Sequence, residues 1–112
     1  MAKRTIPLKV KRNIKNYLNI LNKDKLPIQK VILFGSYAKG AQNKWSDIDL
    51  CVISPKFKNA WDALQYLWEK RTDHKTPVIE PIGFSPKDFA DEDSLIHEIK
   101  RTGLEIKLKQ LI

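Results

Sequence analysis

The sequence predicts an α/β chain: a small, mixed sheet flanked by helices. Three observations carry this. Apolar residues recur at helical spacing in three separate segments. Short runs rich in β-branched residues lie between them, each closed by glycine or proline. The two kinds alternate in the order α-β-(α)-β-α-β-α-β, which suits one sheet with helices packed against it.

Taken in order, Pro7 fits the first turn of a helix. Val10, Ile14, Tyr17, Leu18 and Leu21 then share one helical face, predicting a helix from about Pro7 to Asn22. Asn22 to Lys25 is a polar turn. Ile28 to Phe34 is an apolar run that stops at Gly35, a first strand. Residues 36–39 predict a short helix ended by Gly40, and a polar loop continues through Trp45. Asp47 to Ser54 is the second strand, with Pro55 just beyond it. Asn59 is placed to cap a second long helix, whose apolar stripe is Ala60, Trp61, Leu64, Leu67 and Trp68. Thr76 to Phe84 is the third strand, and Pro81 makes it an edge strand or introduces a bulge. Ser85-Pro86 starts another helical turn. Asp93 caps a helix carrying Leu95, Ile96 and Ile99, with Gly103 as its C-terminal stop. Leu104 to Leu108 is a last strand.

The chain of 112 residues suits a single domain, residues 1–112. Apolar residues make up 42%, enough for one core and unlike a disordered chain. Lys and Arg outnumber Asp and Glu by 21 to 13, a formal charge of +8. Such a surface attracts nucleic acid, nucleotide phosphates or an acidic partner, or simply keeps the chain soluble. One cysteine, Cys51, excludes an intrachain disulfide, and its apolar surroundings predict a buried side chain. No apolar segment is long enough for a membrane span. The charged start, Met1 to Arg4, leads into no signal-peptide hydrophobic stretch. A cytoplasmic protein is the simple expectation.

Three features carry chemistry. In Phe34-Gly35-Ser36, Gly35 permits close approach of a ligand to the backbone. The following helix start offers N–H groups to an anion, and Ser36 adds a hydroxyl. The alternative is an ordinary structural turn. Gly35 and Gly40 have the spacing of a P-loop's glycines, but Ala41 and Gln42 follow where Lys and Ser or Thr are needed. In Ser46-Asp47-Ile48-Asp49-Leu50, the alternation of a strand puts Asp47 and Asp49 on one face. Paired carboxylates repel, and a hard divalent cation such as Mg²⁺ relieves this. The alternative is two solvated acids at a strand edge. Glu80 is a lone acid in an apolar strand; it completes a three-carboxylate cluster if that strand lies beside Asp47, and otherwise faces water. Together these features point to metal-assisted phosphoryl chemistry.

The run Gly35-Ser36-Tyr37-Ala38-Lys39-Gly40, followed by Trp45-Ser46-Asp47-Ile48-Asp49-Leu50, resembles the Gly-Ser…Asp-x-Asp pattern of the DNA polymerase β-like nucleotidyltransferase superfamily. The short chain and the segment Leu95 to Gly103 resemble its minimal nucleotidyltransferase branch. The resemblance implies a palm-like fold, with Gly35 and Ser36 holding the triphosphate of ATP and Asp47 and Asp49 holding Mg²⁺. It implies a third carboxylate on a later strand, commonly Asp, for which Glu80 is the candidate here. Members of this branch often pair with a HEPN-domain toxin as its antitoxin, and some transfer AMP from ATP to a tyrosine of that toxin. The HEPN motif itself is not found, since Arg71 and His74 are too close together. Two other readings stand beside the enzyme: an antitoxin that neutralises its toxin by contact, and nucleotidyl transfer to a small molecule or RNA.

Other residues are given blander roles. Lys39 is a candidate phosphate contact because it lies near the turn. His74 and His97 lack a sequence partner for catalysis. Trp61 and Trp68 are expected in the core rather than stacked on a base. Lys9, Lys11, Arg12 and Lys15 are read as a solvated helix face.

Overall fold

The computed structural model describes residues 6–72, 77–91 and 93–107. Its elements are α1 (Leu8–Lys23), β1 (Lys30–Phe34), α2 (Ser36–Lys39), β2 (Ile48–Ile53), α3 (Ala60–Glu69), β3 (Ile79–Phe84), α4 (Pro86–Ala90), α5 (Ser94–Thr102) and β4 (Leu104–Glu105). This is the predicted order, with α4 made from the turn at Ser85-Pro86.

The strands form one mixed sheet in the order β3-β2-β1-β4. β1 runs antiparallel to both β2 and β4, and β2 runs parallel to β3. A parallel pair needs a crossover, and α3 supplies it. Pro81 lies in the edge strand, where its missing N–H leaves no gap inside the sheet. Its carbonyl accepts the indole N–H of Trp68 at 3.0 Å.

The sheet is covered on both faces. Val31, Leu33, Ile48, Leu50, Val52 and Ile79 pack with the five predicted residues of α1 and with Ala63 and Leu67 of α3. Ile32, Cys51, Ile53 and Phe84 face the other way, onto Ile96 and Ile99 of α5. Central β2 is therefore buried throughout, with Asp49 the single exception. Burial pushes the Cys51 thiol up to about 12. Among the described residues no helix is long and apolar enough to cross a membrane.

The caps predicted at Asn59 and Asp93 form, and Ser85, expected to start a helical turn, also acts as a cap. Asn59 accepts the Asp62 N–H at 2.8 Å, Ser85 that of Asp88 at 3.0 Å, and Asp93 that of Ile96 at 2.8 Å. Pro7 sits one place before its expected position, as the N-cap of α1.

Two expectations change. Trp61 and Trp68 are not core residues: they are 64% and 43% exposed. Glycine at position 83 explains why, since a Cβ there would lie 2.7 Å from Phe57 and 3.0 Å from the Ala63 Cβ. The helix comes so close to the sheet that Ala63 and Leu67 fill the contact, and the tryptophans swing to its flanks. Gly103 does end α5, but in extended rather than left-handed backbone, with φ −73 and ψ 157. Its requirement is steric, because a Cβ would meet Ile32 Cγ2 at 2.5 Å and the Ile99 carbonyl oxygen closer still. The strands are also shorter than expected: β1 begins at Lys30 and β4 spans only two residues. Thr76, His74 and Leu108 lie outside the described residues.

Candidate active site

Sheet register assembles the site. Antiparallel pairing sets Phe34, the last residue of β1, opposite Asp49. Parallel pairing sets Asp49 opposite Glu80. Both acids alternate with core residues, Ile48 and Leu50 on one strand and Ile79 and Pro81 on the other, so they share the face that carries Cys51. Asp47, expected as the first residue of the strand, lies instead in the loop just before β2, near enough for its charge to raise the proton affinity of both Asp49 and Glu80.

The loop before β2 delivers Asp47. Ser46 Oγ accepts the Asn43 N–H at 2.9 Å, Asn43 Oδ1 accepts the Trp45 N–H at 2.8 Å, and the Asn43 carbonyl accepts the Ser46 N–H at 3.1 Å. These local bonds fix the turn without regular structure.

The acids perturb one another. Burial raises the Asp49 carboxyl above the ordinary range, and the Asp47 charge raises it further. Glu80 is raised as well, first by burial, then by the charge and hydrogen bond of Asp47, then by Asp49; the Arg71 charge opposes this. Among the described residues, no group of three His, Cys, Asp or Glu side chains is already splayed to hold an ion. The donor set still fits a hard cation: every ligand is a carboxylate oxygen, and Mg²⁺ binds through one or two carboxylates plus substrate phosphates.

Gly35 joins the turn to this cluster. Its φ of 74 and ψ of −152 lie in a region that essentially only glycine occupies. A Cβ there would lie 3.0 Å from the Asp49 Cγ, and nearer still to Oδ2. What comes close to this glycine is the Asp49 carboxylate itself. Ser36 then opens α2, where the Ala38 and Lys39 N–H groups both reach the Gly35 carbonyl at 3.1 Å. Buried Ala38 anchors this four-residue helix, and Gly40 ends it in left-handed backbone. Lys39 reaches α5 instead of standing alone, with Nζ 3.2 Å from Glu98 Oε1.

The sequence reading did not single out Arg71, whose charge opposes the rise at Glu80. Its guanidinium lies 4.1 Å from the centre of the Trp68 ring, and its buried Nε has no hydrogen-bond partner among the described residues. The available signal was an aromatic residue followed three places later by arginine at a helix end, a pairing that helical geometry brings together. Lys9, Lys11, Arg12 and Lys15 are exposed, as expected. His97 lies on the exposed side of α5.

Residues 14–109 match the nucleotidyltransferase domain family. The chain belongs to that family. Over 63 residues this nucleotidyltransferase domain is 36% identical to a Methanocaldococcus jannaschii protein named "Putative protein adenylyltransferase". That match takes in 52% of the chain and 62% of the relative, so the chain spans less than two thirds of that protein. A crystal structure of a "putative nucleotidyltransferase" from Sulfolobus solfataricus has the same fold, with a TM-score of 0.61 at 15% identity over 94% of this chain and 89% of that one. A toxin–antitoxin structure with AMP-PNP matches at a TM-score of 0.49 and 22% identity, over 81% of this chain and 70% of that one.

Proposed function

We propose that this nucleotidyltransferase domain transfers AMP from ATP to a hydroxyl of a partner protein. The observation that carries this reading is the register that sets Asp49 opposite Glu80, with the Asp47 charge close to both and Gly35 against Asp49. A protein acceptor is supported by the name of the Methanocaldococcus jannaschii relative. The finer reading, a tyrosine of a HEPN-domain toxin with this chain as antitoxin, rests on the motif resemblance of residues 35–50 and 95–103.

In this reading the Gly35–Ser36 turn donates hydrogen bonds to the triphosphate, from backbone N–H groups and the Ser36 hydroxyl. Asp47, Asp49 and Glu80 hold Mg²⁺, which when bound neutralises charge on the phosphoryl oxygens. Glu80 accepts a hydrogen bond from the acceptor hydroxyl and takes its proton. The acceptor oxygen forms a bond to the α-phosphorus as the bond to the bridging oxygen breaks, and pyrophosphate leaves with that electron pair. Burial around Asp49 limits water, which favours transfer over hydrolysis.

The test is transfer of label from α-³²P-ATP to a co-expressed partner. Asp47→Asn and Asp49→Asn keep shape and remove charge, so each should abolish labelling while the far-ultraviolet circular dichroism stays unchanged. Labelling that persists in the double variant overturns the reading. Protection of cells without any labelling would identify neutralisation by binding instead.

A further inference from the structure

The exposed side of α1 is basic along its whole length. Of the nine exposed residues of this helix, five are cations: Lys9, Lys11, Arg12, Lys15 and Lys23. Three more are asparagines, Asn16, Asn19 and Asn22, and the ninth is Leu8. The helix contains no acid. This arrangement costs stability. Lys11 and Lys15 are four residues apart, and Lys9, Arg12 and Lys15 follow at three-residue steps, so like charges face one another along the helix. Lys9 and Lys11 also stand in the first turn, at the positive end of the helix dipole, where acids are favoured. A face that serves solubility alone intersperses charges of both signs. A bound polyanion would offset the repulsion.

Composition narrows the class of polyanion. Protein–protein interfaces are depleted in lysine and rely on buried aromatic or apolar anchors. On this face Leu8 is the single exposed apolar residue. Phosphate backbones, in contrast, are contacted by Lys, Arg and Asn side chains. Proteins that bind single strands stack the bases on aromatic rings. The one aromatic residue of α1, Tyr17, is buried. A double helix, which needs no stacking platform, fits this face better than a single strand or an acidic protein.

Geometry narrows it further. Lys11, Lys15, Asn19 and Lys23 recur at every fourth residue, about 6 Å apart along the axis, and Lys9 to Lys23 spans about 21 Å. Helical rotation puts Lys11 and Lys15 on one flank of the exposed arc and Lys9 on the other. Arg12, Asn19 and Lys23 run along the crest. A helix with its side chains is about 10–12 Å across, and the major groove of B-form DNA, about 12 Å wide, admits one. The groove sets a phosphate strand on each flank. An RNA duplex has a major groove too deep and narrow for this. We propose that the outer face of α1 docks double-stranded DNA along the major groove, with its lysines on the phosphates and Arg12 and Asn19 towards the bases. The inference goes beyond nucleotidyl transfer and does not depend on it. The helix packs on the sheet face of Leu33 and Leu50, and Asp49 and Glu80 lie on the other, so bound DNA leaves the carboxylates uncovered.

The test measures fluorescence anisotropy of a short labelled DNA duplex against the full chain over a range of salt. If all five cations reach phosphates, the logarithm of affinity should fall with the logarithm of salt at a slope of about −4.5, about 0.9 for each contact. Affinity then drops about 500-fold from roughly 50 to 200 mM salt. Lys11→Gln, Lys15→Gln and Lys23→Gln should each make the slope shallower by about 0.9. These side chains are exposed, so circular dichroism should show the variants folded. Lys87→Gln is the control: Lys87 is exposed on α4, which packs through Phe89 on the opposite side of the sheet, and its slope should match the parent's. The same measurement is repeated with the separated strand, with an RNA duplex of the same sequence and with polyglutamate as competitor. No binding at about 50 mM salt, where even non-specific contacts hold, overturns the proposal. An equal change of slope in Lys87→Gln also overturns it, because attraction is then a property of net charge. So does binding of the single strand or the RNA duplex as tight as that of DNA. Polyglutamate that displaces DNA at equal charge concentration makes α1 a face for an acidic protein instead.

Discussion

Replacing Gly35 by alanine tests the link between the turn and the carboxylates. Two penalties add. The backbone at φ 74 and ψ −152 is a glycine conformation, and forcing another residue into it costs about 1–3 kcal/mol. The new Cβ would also lie 3.0 Å from Asp49 Cγ, so the carboxylate must leave its rotamer or β1 and β2 must part, at about 1–3 kcal/mol. The total, roughly 2–6 kcal/mol, is a large share of the 5–15 kcal/mol typical of a domain. Gly40→Ala is the control: that glycine is also left-handed, at φ 71, but its Cβ would meet nothing within 4 Å. It should lose only about 1–2 kcal/mol and keep labelling activity. The steric part is isolated by a double-mutant cycle. With Asp49→Ala, the nearest remaining atom to the Gly35 Cβ is the Cβ of residue 49 at 3.3 Å, which small shifts accommodate. Urea unfolding of the four metal-free proteins should give a coupling of about 1–3 kcal/mol. A coupling within about 0.5 kcal/mol of zero, the range of independent sites, refutes the contact.

Stability of the metal-free chain should depend on pH through Asp49 and Glu80. Both are raised in the folded state, so folding binds protons that the unfolded chain has released above about pH 4. Their favourable contribution is present below that pH and is lost as pH rises through the folded values. Asp49→Asn should therefore melt higher than the parent at pH 7, with an advantage that shrinks towards pH 4; an advantage that grows towards pH 4 contradicts the assigned burial and repulsion. Lys39→Ala breaks a half-exposed ion pair with Glu98, so stability should fall by less than about 1 kcal/mol with little change in the KM for ATP, whereas a rise of about tenfold would return Lys39 to the triphosphate. Asp93→Ala removes the α5 cap and should lower stability by about 1 kcal/mol in urea unfolding.

Most of the architecture was legible because local chemistry and tertiary context agree. Glycine, proline and capping residues mark element ends, and the stripe of α1 is the buried set residue for residue. Position 49 was legible too, because an aspartate in a strand of core residues is costly unless it serves something. The α3 stripe was misread because periodicity identifies a face but not the distance to the sheet. That distance is set by Gly83, which lies far from α3 in sequence. Glu80 was recognised as an odd acid, yet only the β2–β3 register gives it a partner, and register is a long-range property. Arg71 stayed hidden for the same reason, since its position is set by Trp68 and, through the indole, by Pro81.

The burial of Cys51 has an experimental use. It is the chain's single thiol, fully buried in the central strand two residues from Asp49. Burial holds it protonated, near 12, and only the thiolate reacts with an alkylating reagent. Modification therefore waits until β2 is exposed, and a mass increase on the intact protein counts those openings. A ligand that binds only the closed chain slows the count by one plus the ratio of its concentration to its dissociation constant. Titrating Mg²⁺ and ATP against this alkylation clock would measure nucleotide affinity at the neighbouring acids with no attached dye and no knowledge of the acceptor.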